Sequence, residues 1–153
     1  MTKRKNCIKL LAFFILSIII FFLLNRFINN DIVNDNDFHY NMISVASIIG
    51  GFLFTGLGVL ISAIDKERIK RLWDNNYLDD LYRFSIIGIF CNIITVFIAL
   101  FIICINFDEI DEKKKIIKIM TSVEITTIIC GLIGFIISMI YLSSIIRKLK
   151  SQN

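Results

Sequence analysis

The sequence predicts an all-α integral membrane protein in which four transmembrane helices form one antiparallel bundle. Three observations predict this class. The hydrophobic fraction is 56% and the mean hydropathy is +0.75, values beyond what a soluble domain tolerates. Four apolar stretches each reach the roughly 20 residues that a helix needs to cross the hydrocarbon core. None of the 153 residues is proline, so no proline breaks these helices.

The four spans are predicted within a single domain of residues 1–153, at about 8–28, 42–64, 84–106 and 119–142. The first span follows a basic start and resembles a signal sequence, but no small-residue cleavage pattern comes after it. We therefore interpret it as an uncleaved span. All four segments are expected to be helical, because hydrocarbon offers the backbone amides no other partner.

The distribution of positive charge predicts the orientation of the bundle. Lys and Arg resist translocation, and with the N-terminus inside, twelve of the 17 fall on the cytoplasmic side and five outside. Both termini are therefore expected in the cytoplasm. The heavy use of Asn, Ile and Lys favours an AT-rich bacterial genome, so the expected location is the bacterial cytoplasmic membrane.

Small and polar residues recur at steps of three or four along three of the spans, which places them on one face of each helix. Membrane helices associate through such residues, because lipid supplies no hydrophobic force between helices. We predict helix contacts at Ser47, Gly51, Thr55 and Gly58 in the second span, Gly88, Asn92 and Thr95 in the third, and Thr127, Gly131 and Gly134 in the fourth. The first span has only Ser17, so it is expected to pack peripherally.

Two polar residues, Asn92 and Glu124, are predicted to lie inside the membrane, where such groups are costly unless they are paired. Asn92 is expected near Gly56 and Gly134, either in an interhelical hydrogen bond that fixes register or in a polar path. Glu124 is either a buried functional residue or an interfacial one. If it is buried, depth favours Ser47 as its partner.

The cytoplasmic connection at 65–83 combines basic residues with one tryptophan. One interpretation is a helical hairpin extension at the lipid headgroups. The other is a docking surface for a cytosolic partner, formed by Lys66, Arg68, Lys70, Arg71 and Trp73.

No catalytic site, cofactor motif or metal site is predicted. His39 is the only histidine and is expected on a solvated outer loop, so it supplies neither a zinc site nor a catalytic triad. The four cysteines have no CxxC spacing. The basic tail is expected to anchor topology and not to bind nucleic acid.

The expected function is therefore non-catalytic. We predict a small bacterial inner-membrane protein that acts through homo-oligomerisation or through a partner protein. Its size and topology are those of membrane components of defence or immunity operons, with no residue motif behind that comparison. The alternative is a subunit of an oligomeric channel or transporter, with a polar path through Asn92 and Glu124.

Overall fold

In a computed structural model of the chain, all the regular secondary structure among the described residues is helix. The structure describes residues 2–28, 35–62, 69–70, 78–104 and 111–150, with side chains at 8–28, 35–62, 69–70, 78–104 and 115–147. The main helices are α1 (Thr2–Phe27), α2 (Asn36–Ser62), α3 (Asp79–Cys104) and α4 (Asp111–Lys150). Each overlaps one predicted span, and all four are long and apolar enough to cross a membrane. The prediction of an all-α chain with four such helices is confirmed.

Helix α2 begins at Asn36, earlier than the predicted start at about residue 42. The cause is a capping residue in the polar segment before the span. The Asp35 Oδ1 atom accepts a hydrogen bond from the Asp37 backbone N–H at 2.9 Å, which satisfies one of the free amides at the helix start. Asp37 itself places a negative charge in the first turn, where the helix dipole favours it. The segment from Asn36 to Asn41 is consequently helix and not loop.

The contacts at the two ends of the bundle show that successive helices run antiparallel. Lys9 near the start of α1 binds Asp80 near the start of α3, and both contact Tyr141 near the end of α4. We call this the Lys9 end. At the opposite end, which we call the His39 end, Ile28, Ile102 and Ile117 form an apolar cluster. The start of α1 and the end of α4 therefore both lie toward the Lys9 end.

The helices do not contribute equally to the packing. Helices α3 and α4 form the most extensive contact, α2 packs mainly on α3, and α1 packs mainly on α4. The most apolar part of α1 buries none of its residues, which agrees with the predicted peripheral position. Toward the Lys9 end, an apolar groove of about 430 Å³ separates α2 from α4, with Leu81 and Ser85 of α3 among its lining residues.

The contact between α3 and α4 is a seam of small and polar residues. The Ser85 hydroxyl donates to Ser138 at 3.0 Å, and the Thr95 and Thr127 hydroxyls are 2.8 Å apart. Between these pairs the backbones approach closely. A Cβ atom added to Gly134 would lie 3.0 Å from the Gly88 Cα atom, so no larger residue fits there without a shift.

A buried histidine and glutamate pair as the candidate functional site

The most unusual polar contact in the chain joins α2 to α4. The Nδ1 atom of His39 lies 2.7 Å from the Oε2 atom of Glu124, and both side chains are 0% exposed. Each group is costly to place in an apolar interior alone, and the cost falls when the two are paired. An ionisable pair inside a helix that is apolar enough to cross a membrane marks a candidate functional site.

The structure bears on three expectations about these residues. His39 does not lie on a solvated loop, because the early start of α2 places it in the first helical turns with its side chain buried. The Glu124 side chain is fully buried among the helices, which is one of the two alternatives that the sequence left open. Its partner is His39 and not Ser47, whose side chain is exposed.

The helical spacing of α2 explains why His39 turns inward. The buried residues of this helix are His39, Ala46, Leu53 and Leu57, which recur at steps of seven, seven and four and so share one face. This signal is present in the sequence, as is the capping Asp35 that extends the helix to include His39. The sequence-based prediction missed the pair because it sought small residues and treated 29–41 as loop.

The second carboxylate oxygen of Glu124 has a different environment. Its Oε1 atom is buried without a hydrogen-bond partner among the described residues, and so is the Oγ1 atom of Thr121. The two residues are three positions apart on α4 and are both fully buried. The site thus consists of one paired oxygen and two unpaired oxygens within a single turn of α4.

Asn92 occupies the centre of the three-helix contact, although not as predicted. Its Nδ2 atom donates to the Gly88 carbonyl of its own helix at 2.7 Å, and its Oδ1 atom has no partner among the described residues. A Cβ atom on Gly131 of α4 would come within 2.5 Å of Nδ2, and one on Gly50 of α2 within 3.4 Å of the Asn92 Cβ atom. Asn92 therefore lies level with Gly50 and Gly131 instead of Gly56 and Gly134, and its amide bonds within α3 instead of between helices.

The other predicted contact residues divide by helix. On α3 and α4, Gly88, Thr95, Gly131 and Gly134 are buried, and Thr127 is half-buried. On α2, by contrast, Ser47, Gly51, Thr55 and Gly58 are all exposed within the single chain. Helix α2 instead inserts a large side chain, since a Cβ atom on Gly88 would lie 2.7 Å from the Leu53 Cδ1 atom.

Most of the predicted docking surface lies outside the described residues. This holds for Lys66, Arg68, Arg71 and Trp73, while Lys70 is described and exposed. In the described part of the chain, no three His, Cys, Asp or Glu side chains gather closely enough to hold a metal ion.

The fold and the site together define a helical chain with four potential membrane spans and a buried ionisable pair between two of them. Comparison with protein-family models, with curated proteins and with solved structures finds no match. What this chain does must therefore be argued from its own residues.

Proposed function

We propose that the chain is a non-catalytic, proton-responsive membrane protein that acts through an oligomer or a partner protein. The observation that supports this proposal is the complete burial of the His39 and Glu124 pair. Intramembrane ionisable groups are rare because of their cost, and they commonly serve proton binding or ion pathways. Histidine in addition changes charge near neutral pH more readily than other side chains.

The geometry of the pair supplies a physical reason for proton binding. A nitrogen and an oxygen 2.7 Å apart need a proton between them, because two facing lone pairs repel. With that proton alone, the pair carries one net negative charge. A second proton makes it neutral, so proton exchange adds or removes a net charge in an apolar interior. Such a change in desolvation cost alters how firmly α2 is held against α4.

The position of the pair favours a mechanical response in α2. Helix α2 packs mainly on α3, and its contact with α4 is small by comparison. The groove of about 430 Å³ lies between α2 and α4 toward the Lys9 end. Toward the other end, the pair is a direct polar contact between these two helices. A proton-dependent movement of α2 would displace its exposed face, where another chain has room to pack.

The orientation expected from charge is part of the proposal. It places the Lys9 end and both termini in the cytoplasm, and the pair near the outer surface, where external pH would reach it first. Reporter fusions at residues 35 and 153 are expected to report opposite sides of the membrane. Fusions that report the same side would contradict this topology.

The single histidine of the chain makes a direct test possible. With a histidine-free purification tag and ¹⁵N-histidine labelling, NMR of the protein in lipid nanodiscs reports His39 alone. We expect the imidazole signals to change with pH, and Glu124→Gln to alter both the signals and their midpoint. The matched control is Asp37→Asn, which removes an exposed carboxylate two residues from His39. Signals that titrate identically in wild type and Glu124→Gln would refute the proposal.

One observation favours the second candidate, a subunit of an oligomeric channel or transporter. Glu124, Thr127 and Thr95 follow one another along the seam, and Thr127 donates to the Glu124 backbone carbonyl at 2.9 Å. The close approach of Gly88 and Gly134 leaves no conduit between α3 and α4 of one chain, so a path would run between copies. Proteoliposomes with an internal pH dye decide the matter. Proton flux that Glu124→Gln abolishes supports the transporter, and its absence in wild type supports the sensor.

A further inference from the structure

Two buried oxygen atoms beside the histidine and glutamate pair lack hydrogen bonds. They are the Oε1 atom of Glu124 and the Oγ1 atom of Thr121, and both residues are 0% exposed. Buried polar atoms are nearly always paired, so an unpaired couple within one helical turn needs an explanation.

Thr121 differs from the other hydroxyl residues on this part of α4. The hydroxyls of Ser122, Thr126 and Thr127 donate to backbone carbonyls three or four residues earlier, at distances of 2.6 to 3.0 Å. This local bond is the usual state of a threonine or serine within a helix. The hydroxyl of Thr121 makes no such bond, so its proton is not committed to the backbone of α4.

Helix geometry brings the two unpaired oxygens to the same part of the bundle. Side chains of an α-helix lean toward its N-terminus, so the carboxyl group of Glu124 lies over the preceding turn, which contains Thr121. Residues three apart are also neighbours on the helix surface. The two unpaired oxygens therefore belong to neighbouring side chains on one face of α4.

We infer that Thr121 is the third member of the proton site, where its hydroxyl donates to Glu124 Oε1 while the carboxylate is charged. This inference rests on the proposed function. His39 serves one oxygen of the carboxylate, and Thr121 serves the other. A hydrogen bond to a charged acceptor is about twice as strong as one to a neutral acceptor, so Thr121 stabilises the charged form selectively. Thr121 is thus a positioning residue that holds the charged carboxylate through its second oxygen.

No other described group at the His39 end is placed to take this role. The remaining titratable groups there with described side chains are Arg26 on α1, Asp35, Asp37 and Tyr40 on α2, Cys104 on α3, and Lys115 and Lys118 on α4, and none of them is buried. Any charge on these groups is exposed to solvent, so salt screens its effect on the buried pair. Thr121 differs from all of them in being uncharged, fully buried and one turn away.

The test compares two threonine-to-valine changes on the same helix. Thr121→Val removes the free hydroxyl with little change in shape. Thr126→Val removes a hydroxyl that is already bonded to the Ser122 carbonyl. Infrared titration in nanodiscs follows the carboxylic-acid band of Glu124, which is identified as the band that Glu124→Gln abolishes. The melting temperature of each variant checks that it is folded.

We expect Thr121→Val to bind the proton about tenfold more tightly, which moves the midpoint of the Glu124 band about one pH unit upward. Thr121→Ser, which keeps a hydroxyl, is expected to restore the wild-type midpoint, and Thr126→Val to leave it unchanged. An unchanged midpoint in Thr121→Val, or an equal shift in Thr126→Val, would overturn the role of Thr121. A wild-type Glu124 band that does not titrate while the His39 imidazole signals do would place the second proton on His39 and would also overturn the role of Thr121. If neither the Glu124 band nor the His39 signals change with pH, the proposed function itself is overturned.

Discussion

The two ends of the bundle each carry a contact between ionisable side chains, and the two contacts differ in exposure and in the number of partners. At the His39 end both side chains are 0% exposed. At the Lys9 end the side chains of Lys9 and Asp80 are 45% and 20% exposed. There Tyr141 donates to the Asp80 carboxylate at 2.9 Å and accepts from Lys9 at 3.1 Å, so three groups share the contact.

This difference distinguishes the exposed contact that holds α1 in place from the proposed proton site. The Lys9 cluster lies among aromatic rings, with Phe84 stacked on Tyr141 and Phe13 at the edge of Phe84, and it attaches α1 to the other helices. If one of its charged groups is removed, water can solvate the partner that remains. No solvent reaches the His39 pair, so the loss or gain of one proton there has to be absorbed by the packing. Under the proposed function, exposure therefore determines which of the two contacts is disturbed more by a single added proton.

The largest expected effect comes from removing one member of the buried pair. His39→Ala leaves the Glu124 carboxylate without its partner and should lower the free energy of unfolding by about 3 to 5 kcal/mol. Chemical denaturation of the purified protein in mild detergent measures the change. The control is the double variant His39→Leu with Glu124→Leu, which removes both charges and should be close to wild type. If the double variant is as unstable as the single one, packing and not charge controls this end.

A smaller effect is expected from the seam that connects the two ends. In Gly134→Ala the new Cβ atom would lie 3.0 Å from the Gly88 Cα atom and 3.1 Å from the Phe84 carbonyl oxygen. Backbone atoms cannot rotate away, so we expect a loss of about 1 to 3 kcal/mol. The effect should appear as a lower denaturation midpoint and as weaker contacts at both ends.

The matched control for this change is Gly58→Ala on α2, where nothing lies within 4 Å of the added atom. Alanine favours a helix over glycine, so this variant should be unchanged or up to about 1 kcal/mol more stable. A clear loss of stability in Gly58→Ala would show that the exposed face of α2 is covered by another chain in the purified protein.

The seam between α3 and α4 could be predicted from the sequence because both helices meet through small residues. Gly88 and Gly134 have no side chain, so the two backbones can approach closely. About two turns along α3, Thr95 and Thr127 add a hydrogen bond between the same two helices. When small and polar residues recur at the same spacing on two antiparallel helices, those two faces have few other ways to pack. The length and hydropathy of each span were equally clear signals, since they depend only on composition.

The contact of α2 could not be predicted by the same rule. A small residue is needed on only one side of a close contact, and Gly88 of α3 already provides the space that Leu53 fills. The glycines and serines of α2 are therefore not needed for its close contact with α3. The pairing of His39 with Glu124 depends on where α2 begins, and one capping residue, Asp35, shifted that start by more than one turn.

The smallest effect is expected at the Lys9 end and completes the contrast with the buried pair. Lys9→Met removes the positive charge but leaves the hydrogen bond from Tyr141 to Asp80 in place, so the carboxylate keeps a donor and remains partly in water. We expect a loss of about 0.2 to 1 kcal/mol in the free energy of unfolding at low salt, and a smaller one at high salt, where the wild-type pair is screened. The same denaturation experiment, repeated at two ionic strengths, measures both values, and Lys70→Met serves as a control for the loss of an exposed charge. A loss as large as that of His39→Ala, or one that salt does not reduce, would mean that the two ends respond alike and that exposure does not distinguish them.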